Sequence, residues 1–202
     1  MSEALEFTDA FIDRLMTADR HAFGELVEKT SAKIYALGLR MLNNEQDAED
    51  ILQETYLKAF KALPNFEKRS SITTWLFRIA ANEALMLLRK RKTPINLVEI
   101  DDQERETDEP MEIVDWCCLP EKELVSAETR IMLSKAADHL SPALRIVFQL
   151  RDVEGFSGQE TAEILGISED AVKTRLVRAR LRLREELSTY FRERMEGEKN
   201  HA

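Results

Sequence analysis

Glycine and proline are scarce in this chain, six and five among 202 residues. That excludes a turn-dense β architecture and a low-complexity polymer, both of which need many more. No stretch alternates apolar and polar residues in the manner of a half-buried strand, whereas helical spacing recurs throughout, so the expected fold is all-α. Long apolar runs are also missing. None reaches the roughly 18 residues that a membrane span requires, so no stable membrane insertion is expected. The first residues, Met1 to Thr8 with Glu3 and Glu6, lack the basic and apolar segments of a secretory signal, and the cytoplasm is the expected location. Cysteine is limited to the adjacent Cys117 and Cys118. Neighbours bridge only with backbone strain and do not have C-x-x-C spacing, so no disulfide framework is expected. A metal or redox role with His139 competes there with ordinary buried thiols, and the reading favours no metal and no cofactor.

Positive charge is in deficit overall, with 29 lysines and arginines against 38 acids, a net charge of −9. The deficit is local. Between Thr93 and Glu123 eleven acids face only Arg105 and Lys122, which accounts for all of it. A like-charged block containing Pro110 and Pro120 reads as an extended tether. The expected organisation is therefore two small helical domains, 1–92 and 124–195, joined by an acidic linker, 93–123, and followed by a tail, 196–202.

What is present is most distinctive from Ser157 to Arg184, SGQETAEILGISEDAVKTRLVRARLRLR. Ala162, Ile164 and Leu165 have helical spacing, Gly166 stands where a helix must turn left-handed, and Ser168 offers an N-cap oxygen. Val172, Leu176, Ala179 and Leu183 then form one apolar stripe. Away from that stripe lie six cations, Lys173, Arg175, Arg178, Arg180, Arg182 and Arg184, against Glu169 and Asp170. A helix about 10–12 Å across fits a major groove, and phosphates attract this charge. A solvated basic helix on an ordinary bundle would share the charge. It would not need the turn and cap, so the pattern is read as a DNA-binding helix-turn-helix.

The first domain has its own asymmetries. The helix beginning near Glu45, EQDAEDILQETYLKAFKAL, places Ala48, Ile51, Leu52, Thr55, Tyr56, Ala59 and Leu63 on one face at about 100° per residue. Opposite them fall Asp47, Asp50, Gln53, Glu54, Leu57 and Lys61. A lone exposed leucine is ordinary; set amid acids, Leu57 also suits an apolar anchor with an acidic rim for a basic protein partner. After Pro64, Phe66, Lys68, Arg69 and Ser70 form a polar loop before TTWLFRIAANEALMLLRKRK, a helix capped by Ser71 or Thr73. Trp75, Leu76, Ile79 and Ala80 suit a core. The rings of Phe66, Trp75 and Phe77 beside Lys68, Arg69 and Arg78 equally suit single-stranded nucleic acid, whose bases stack on rings. Arg89, Lys90, Arg91 and Lys92 exceed what a helix dipole needs.

Together DAEDILQETYLKAF, TTWLFRIAANEA and LSPALRIVFQLRDVEGFSGQETAEILGISEDAVKTRLVRARLRL resemble bacterial sigma factors of the extracytoplasmic-function type, over about 22–92 (region 2) and 133–187 (region 4). The resemblance implies a sigma factor that binds core RNA polymerase through its β′ clamp helices and β flap, directs promoter-specific initiation including DNA melting, and has no catalysis of its own. It implies clamp docking by Asp47, Asp50, Gln53, Glu54 and Leu57. Opening of the −10 element falls to Phe66, Lys68, Arg69, Ser70, Thr73, Trp75, Arg78 and Asn82. Reading of the −35 element falls to Lys173, Thr174, Arg175, Val177 and Arg178. Promoter DNA and an anti-sigma factor are the other implied partners, and the acidic linker is implied to thread the RNA-exit path. Three departures stand out: Glu169 and Asp170 where small residues or glycine are common, Met86 for an acid, and Gln159 for an aromatic.

Two other classes compete at this stage. An operator-binding regulator with the same helix-turn-helix would need no polymerase and would dimerise on two half-sites. A helical enzyme using Asp47, Asp50 and Glu54 would need convergent partners, and the sequence offers neither E-x-x-H nor a glycine-rich phosphate loop.

Overall fold

The computed structural model describes the backbone of residues 7–91 and 127–199 and the side chains of 7–91 and 132–188. The expected linker 93–123, with Cys117 and Cys118, and positions 200–202 lie outside them. Every regular element among the described residues is helical.

Helix ends fall where side chains can satisfy them. Thr8 caps α1 (Asp9–Met16) by accepting from the Phe11 amide at 3.3 Å. Asp19 caps α2 (Arg20–Leu42), accepting from the amides of His21 and Ala22. Asn43 ends α2 in the left-handed region at φ 51°, and Asn44 then caps α3 (Glu45–Ala62). The expected break at this Asn pair is thus a C-cap followed by an N-cap. Pro64 sits in a 3-10 turn, Leu63–Asn65, and Ser71 caps α4 (Ile72–Arg91), its Oγ accepting from the Thr74 amide at 2.9 Å.

The second group begins with α5 (Ala127–Asp138) and α6 (Pro142–Phe148), the latter running into a π-helical turn, Gln149–Val153. Helix α7 (Gly158–Leu165) opens with a capping box between Ser157 and Glu160. Gly166 closes it at φ 65°, a conformation that costs any Cβ-bearing residue energy. Ser168 caps α8 (Glu169–Lys199), accepting from the Ala171 amide at 3.1 Å.

Helices α2, α3 and α4 enclose the core of the first group, with Leu26, Ile34, Leu37, Met41, Leu76 and Ala80 fully buried. Gly38 is what brings α2 against α3: a Cβ there would stand 3.1 Å from the Ala48 Cα. Inside this core the Tyr56 hydroxyl donates to Thr30 Oγ1 at 2.6 Å, and Thr30 donates in turn to the Leu26 carbonyl. Val172, Leu176, Ala179 and Leu183 are all buried, as their spacing requires.

The two helical groups, which match the expected two-domain fold, also pack on one another. One apolar core runs from Leu15 and Leu37 through Phe77 into Ile146, Leu150, Phe156 and Ile164, with the Phe77 and Phe156 rings edge-on at 4.8 Å. The physical reason lies in α4. Its buried residues, from Ile72 through Phe77 to Ala84, span an arc of roughly 200° at about 100° per residue. That is wider than contact with α2 and α3 can cover, and α7 packs on the remaining flank.

Candidate nucleic-acid interface

The exposed side of α3 carries Asp50, Gln53, Glu54 and Leu57, with Leu57 54% exposed. Phe60, one turn further on, is 40% exposed and leans on Phe23 with ring centroids 5.0 Å apart. It adds an exposed ring to the face that carries Leu57. The sequence reading missed it because a wheel assigns a residue 60° from Leu57 to the flank.

Asp47 corrects the expected outward position. It is 7% exposed and pairs with Arg91 at the far end of α4. Its place in the first turn of α3, beside buried Ala48, turns it towards the α4 terminus. It ties two helices together and does not face solvent with the other acids.

On α4, Ser71, Trp75, Arg78, Asn82, Met86 and Arg89 fall within about 80° of arc and make one stripe along the helix. Arg78, Asn82, Met86 and Arg89 are exposed, and Trp75 is half-buried. The only acid in α4, Glu83, lies off this stripe and is held by Lys58 of α3 at 2.5 Å. The stripe therefore presents cations, an amide, an indole and a thioether to solvent with no carboxylate among them, a surface suited to a polyanion.

The loop before α4 divides the expected residues. Phe66 is only 4% exposed, its ring 5.2 Å from Trp75, and Thr73 is buried as well. Both were expected on the nucleic-acid surface. Phe66 is instead the apolar floor beneath Trp75, and Thr73 lies on the buried arc of α4. Lys68 adopts φ 54° and pairs with Asp13, while Arg69 pairs with Glu67 at 2.8 Å; both cations remain exposed, and Ser70 is half-buried. Such surface pairs hold a side chain weakly enough for a phosphate to displace the carboxylate.

Along α8, Lys173 and Thr174 are exposed and Arg175, Val177 and Arg178 half-buried, on the arc away from the Val172–Leu183 stripe. Arg180 is committed elsewhere. It makes a bidentate pair with Asp152 of the π-helical turn at 2.9 and 2.7 Å, and that hydrogen bonding raises its pKa. Glu169 and Asp170 occupy the first turn of α8, where the helix dipole favours anions. Among the described residues no three His, Cys, Asp or Glu side chains are grouped to hold a metal ion.

Comparison with known proteins follows the same division. Residues 26–93 match the family model Sigma-70 region 2, and residues 130–183 match Sigma-70, region 4. The chain is 34% identical over 177 residues to the ECF RNA polymerase sigma factor SigW of Bacillus subtilis, covering 87% of this chain and 94% of that protein. It is 32% identical over 185 residues to the RNA polymerase sigma-H factor of Pseudomonas aeruginosa, covering 90% and 94%. Solved structures with the same fold include CnrH in complex with the cytosolic domain of CnrY, with a TM-score of 0.64 at 25% identity over 89% of this chain and 96% of that one. Another is RpoE of Bartonella quintana in complex with the anti-sigma factor NepR, with a TM-score of 0.59 at 27% identity over 82% and 96%. With two family models in order along the chain and relatives matched over nearly their whole length, the chain belongs to the extracytoplasmic-function sigma factors of bacterial RNA polymerase.

Proposed function

We propose that this sigma factor joins core RNA polymerase through the exposed face of α3, with Leu57 as anchor and Asp50, Gln53 and Glu54 as its acidic rim. Region 2, residues 1–92, then opens the −10 element with the α4 stripe and the Lys68 and Arg69 loop. Region 4, residues 124–195, reads the −35 element with Lys173, Thr174, Arg175, Val177 and Arg178 and meets the β flap. The protein contributes no catalysis; the polymerase supplies it. An anti-sigma factor is the proposed inhibitor, since the solved neighbours CnrH and RpoE are each bound to a regulator of that kind or to a cytosolic domain. The cytoplasm is the proposed site of action. Among the described residues no helix is long and apolar enough to cross a membrane.

The observation that best supports this assignment is the polarity of the surface. On α3 the carboxylates of Asp50 and Glu54 repel DNA and, with Leu57 at their centre, suit a basic protein helix, while one helix away α4 presents a stripe without a carboxylate. The test is co-purification of core polymerase with the protein and with Leu57→Lys. The substitution would bury an unpaired cation in the complex, yet in the free protein the position is solvent-exposed. Circular dichroism and melting temperature should stay as in the wild type while core is lost from the complex on gel filtration. Wild-type retention of core by Leu57→Lys overturns the docking face, and a wild-type protein that never carries core favours the operator-binding alternative.

A further inference from the structure

Each cation of the loop before α4 is already held by a carboxylate. Arg69 pairs with Glu67, two residues away, at 2.8 Å. Lys68 pairs with Asp13, 55 residues earlier on α1. Phosphates are the same in every strand, so cations strengthen the hold on all sequences alike, whereas bases distinguish one sequence from another. A carboxylate beside each cation diminishes the first contribution and leaves the second untouched.

The two carboxylates are not equivalent. Glu67 belongs to the same loop and moves with Arg69, whereas Asp13 is fixed to the body of the protein by its helix. Phe11 and Leu15 of α1 are buried, and α1 packs on α2 and on the 3-10 turn Leu63–Asn65 from which the loop starts. The Phe7 and Phe11 rings stack at 5.0 Å, with Lys29 Nζ of α2 at 5.5 and 5.9 Å from their centroids. Asp13 falls about 180° from the Phe11–Leu15 face at 100° per residue, and its side chain is 65% exposed. Lys68 reaches it from a left-handed backbone, φ 54°, which glycine or asparagine would adopt at lower cost. An exposed pair of this kind stabilises the fold little, so stability does not account for a lysine in that strained position. Asp13 also precedes residues 26–93, the stretch matched to region 2.

Resting on the proposed assignment of this loop to the −10 strand, we infer that Asp13 sets the strength of the loop's phosphate grip, neutralising Lys68 until an incoming phosphate displaces it. Partly exposed pairs bias an equilibrium by about two- to five-fold, and Asp13 weakens the hold on any single strand by that factor. A cation that binds a phosphate of a single strand releases roughly 0.7 of a counterion. The displaced Asp13 carboxylate takes up a counterion in turn, so Lys68 adds less than this to the salt slope. The loss is uniform, but its effect on occupancy is not. Between the dissociation constants for the −10 strand and for random strands, it lowers occupancy of random strands in proportion and leaves the −10 strand nearly filled.

The test uses holoenzyme reconstituted from core polymerase and the full-length protein. Two fluorescent single strands serve as probes: a −10 sequence recovered from a randomised promoter library by run-off transcription, and the same bases in scrambled order. Anisotropy titrations run from about 50 to 200 mM salt. Asp13→Asn is isosteric at an exposed position, so the fold is retained. It should tighten both strands by the same factor, about two- to five-fold, and steepen the salt slope by up to roughly 0.7. In a Lys68→Ala background it should change neither, because no cation remains to be uncovered. Wild-type affinity and slope for Asp13→Asn, while Lys68→Ala weakens both strands, overturn the inference and leave the loop assignment standing. Tightening confined to the −10 strand also overturns it, since Asp13 would then act through the bases. So does an equal gain in the Lys68→Ala background, which would be an effect of overall charge. If Lys68→Ala binds both strands as the wild type does, the loop holds no phosphate there, and the assignment of Lys68 falls together with the inference.

Discussion

Phe66→Ala separates a base-stacking ring from a structural one. The ring is 4% exposed and rests against Trp75. A phenylalanine buries roughly 150–250 Å², worth about 4–6 kcal/mol at 25 cal/mol/Å², an upper bound because unfolded chains already bury part of that area. Measured truncations of this kind cost about 3–5 kcal/mol. For a chain of this size each kcal/mol shifts the melting temperature by about 2–4 °C, so Phe66→Ala should melt on the order of 10 °C lower. Arg69→Ala is the control: its pair with Glu67 is exposed on both sides, and its loss should leave stability within about 0.5 kcal/mol. Calorimetry on both variants, followed by permanganate footprinting of promoter thymines in reconstituted holoenzyme, completes the assay. Phe66→Ala should lose stability and lose opening because Trp75 has lost its support, whereas Arg69→Ala should lose opening alone. If Phe66→Ala melts like the wild type yet fails to open DNA, the ring leaves its pocket and acts on bases, and the structural reasoning is refuted.

Tyr56→Phe should cost about 1 kcal/mol at neutral pH by removing the buried bond to Thr30. Burial raises the Tyr56 phenol above its ordinary value of 10.0, so the unfolded chain ionises first. Stability is intact below that pH and declines as pH rises towards the folded value; denaturation from pH 8 to 11 should show a shallower alkaline decline in Tyr56→Phe. Gly38→Val should destabilise by about 1–3 kcal/mol because its Cβ meets the Ala48 backbone, whereas Gly24→Ala, in open space on the same helix, should stabilise by about 0.5–1 kcal/mol. Lys173→Ala in holoenzyme should weaken a −35 site by about 1–3 kcal/mol and relax one base preference if it reads an edge, or reduce the salt slope by about one if it holds a phosphate; identical promoter choice and salt dependence would remove it from the interface.

The local features were legible because each is a short-range rule. Asn43 and Asn44, Ser71, Gly166 and Ser168 mark helix ends, and the Val172–Leu183 stripe needs only a periodicity of 3.6. Leu57 was legible as well, since its exposed face opposes an unambiguous core. Asp47 was not, because a wheel shows the direction of a side chain and not the arginine 44 residues later that meets it. Phe66 failed for the same reason: loop composition says nothing of whether a neighbouring indole will cover a ring. The shared core was invisible for a further reason. An apolar arc of about 200° on α4 is a surplus that sequence reveals, but which element absorbs it depends on the tertiary arrangement.

The double tie between α3 and α4 has a mechanical consequence. Asp47 to Arg91 joins one pair of helix ends, and Lys58 to Glu83 joins the helices eleven residues further along α3, about 16 Å away at 1.5 Å per residue. Each pair has a half-exposed cation and adds little by itself; it is the packing between them that resists sliding and rotation of one helix on the other. Under the proposed assignment the anchor on polymerase and the stripe that meets the −10 strand are therefore two faces of one packed helix pair. The offset between the enzyme and the first separated base pair is set by the protein, whatever the promoter sequence. A loosened tie would then show itself as scatter in the transcription start position, even where the amount of transcript is unchanged.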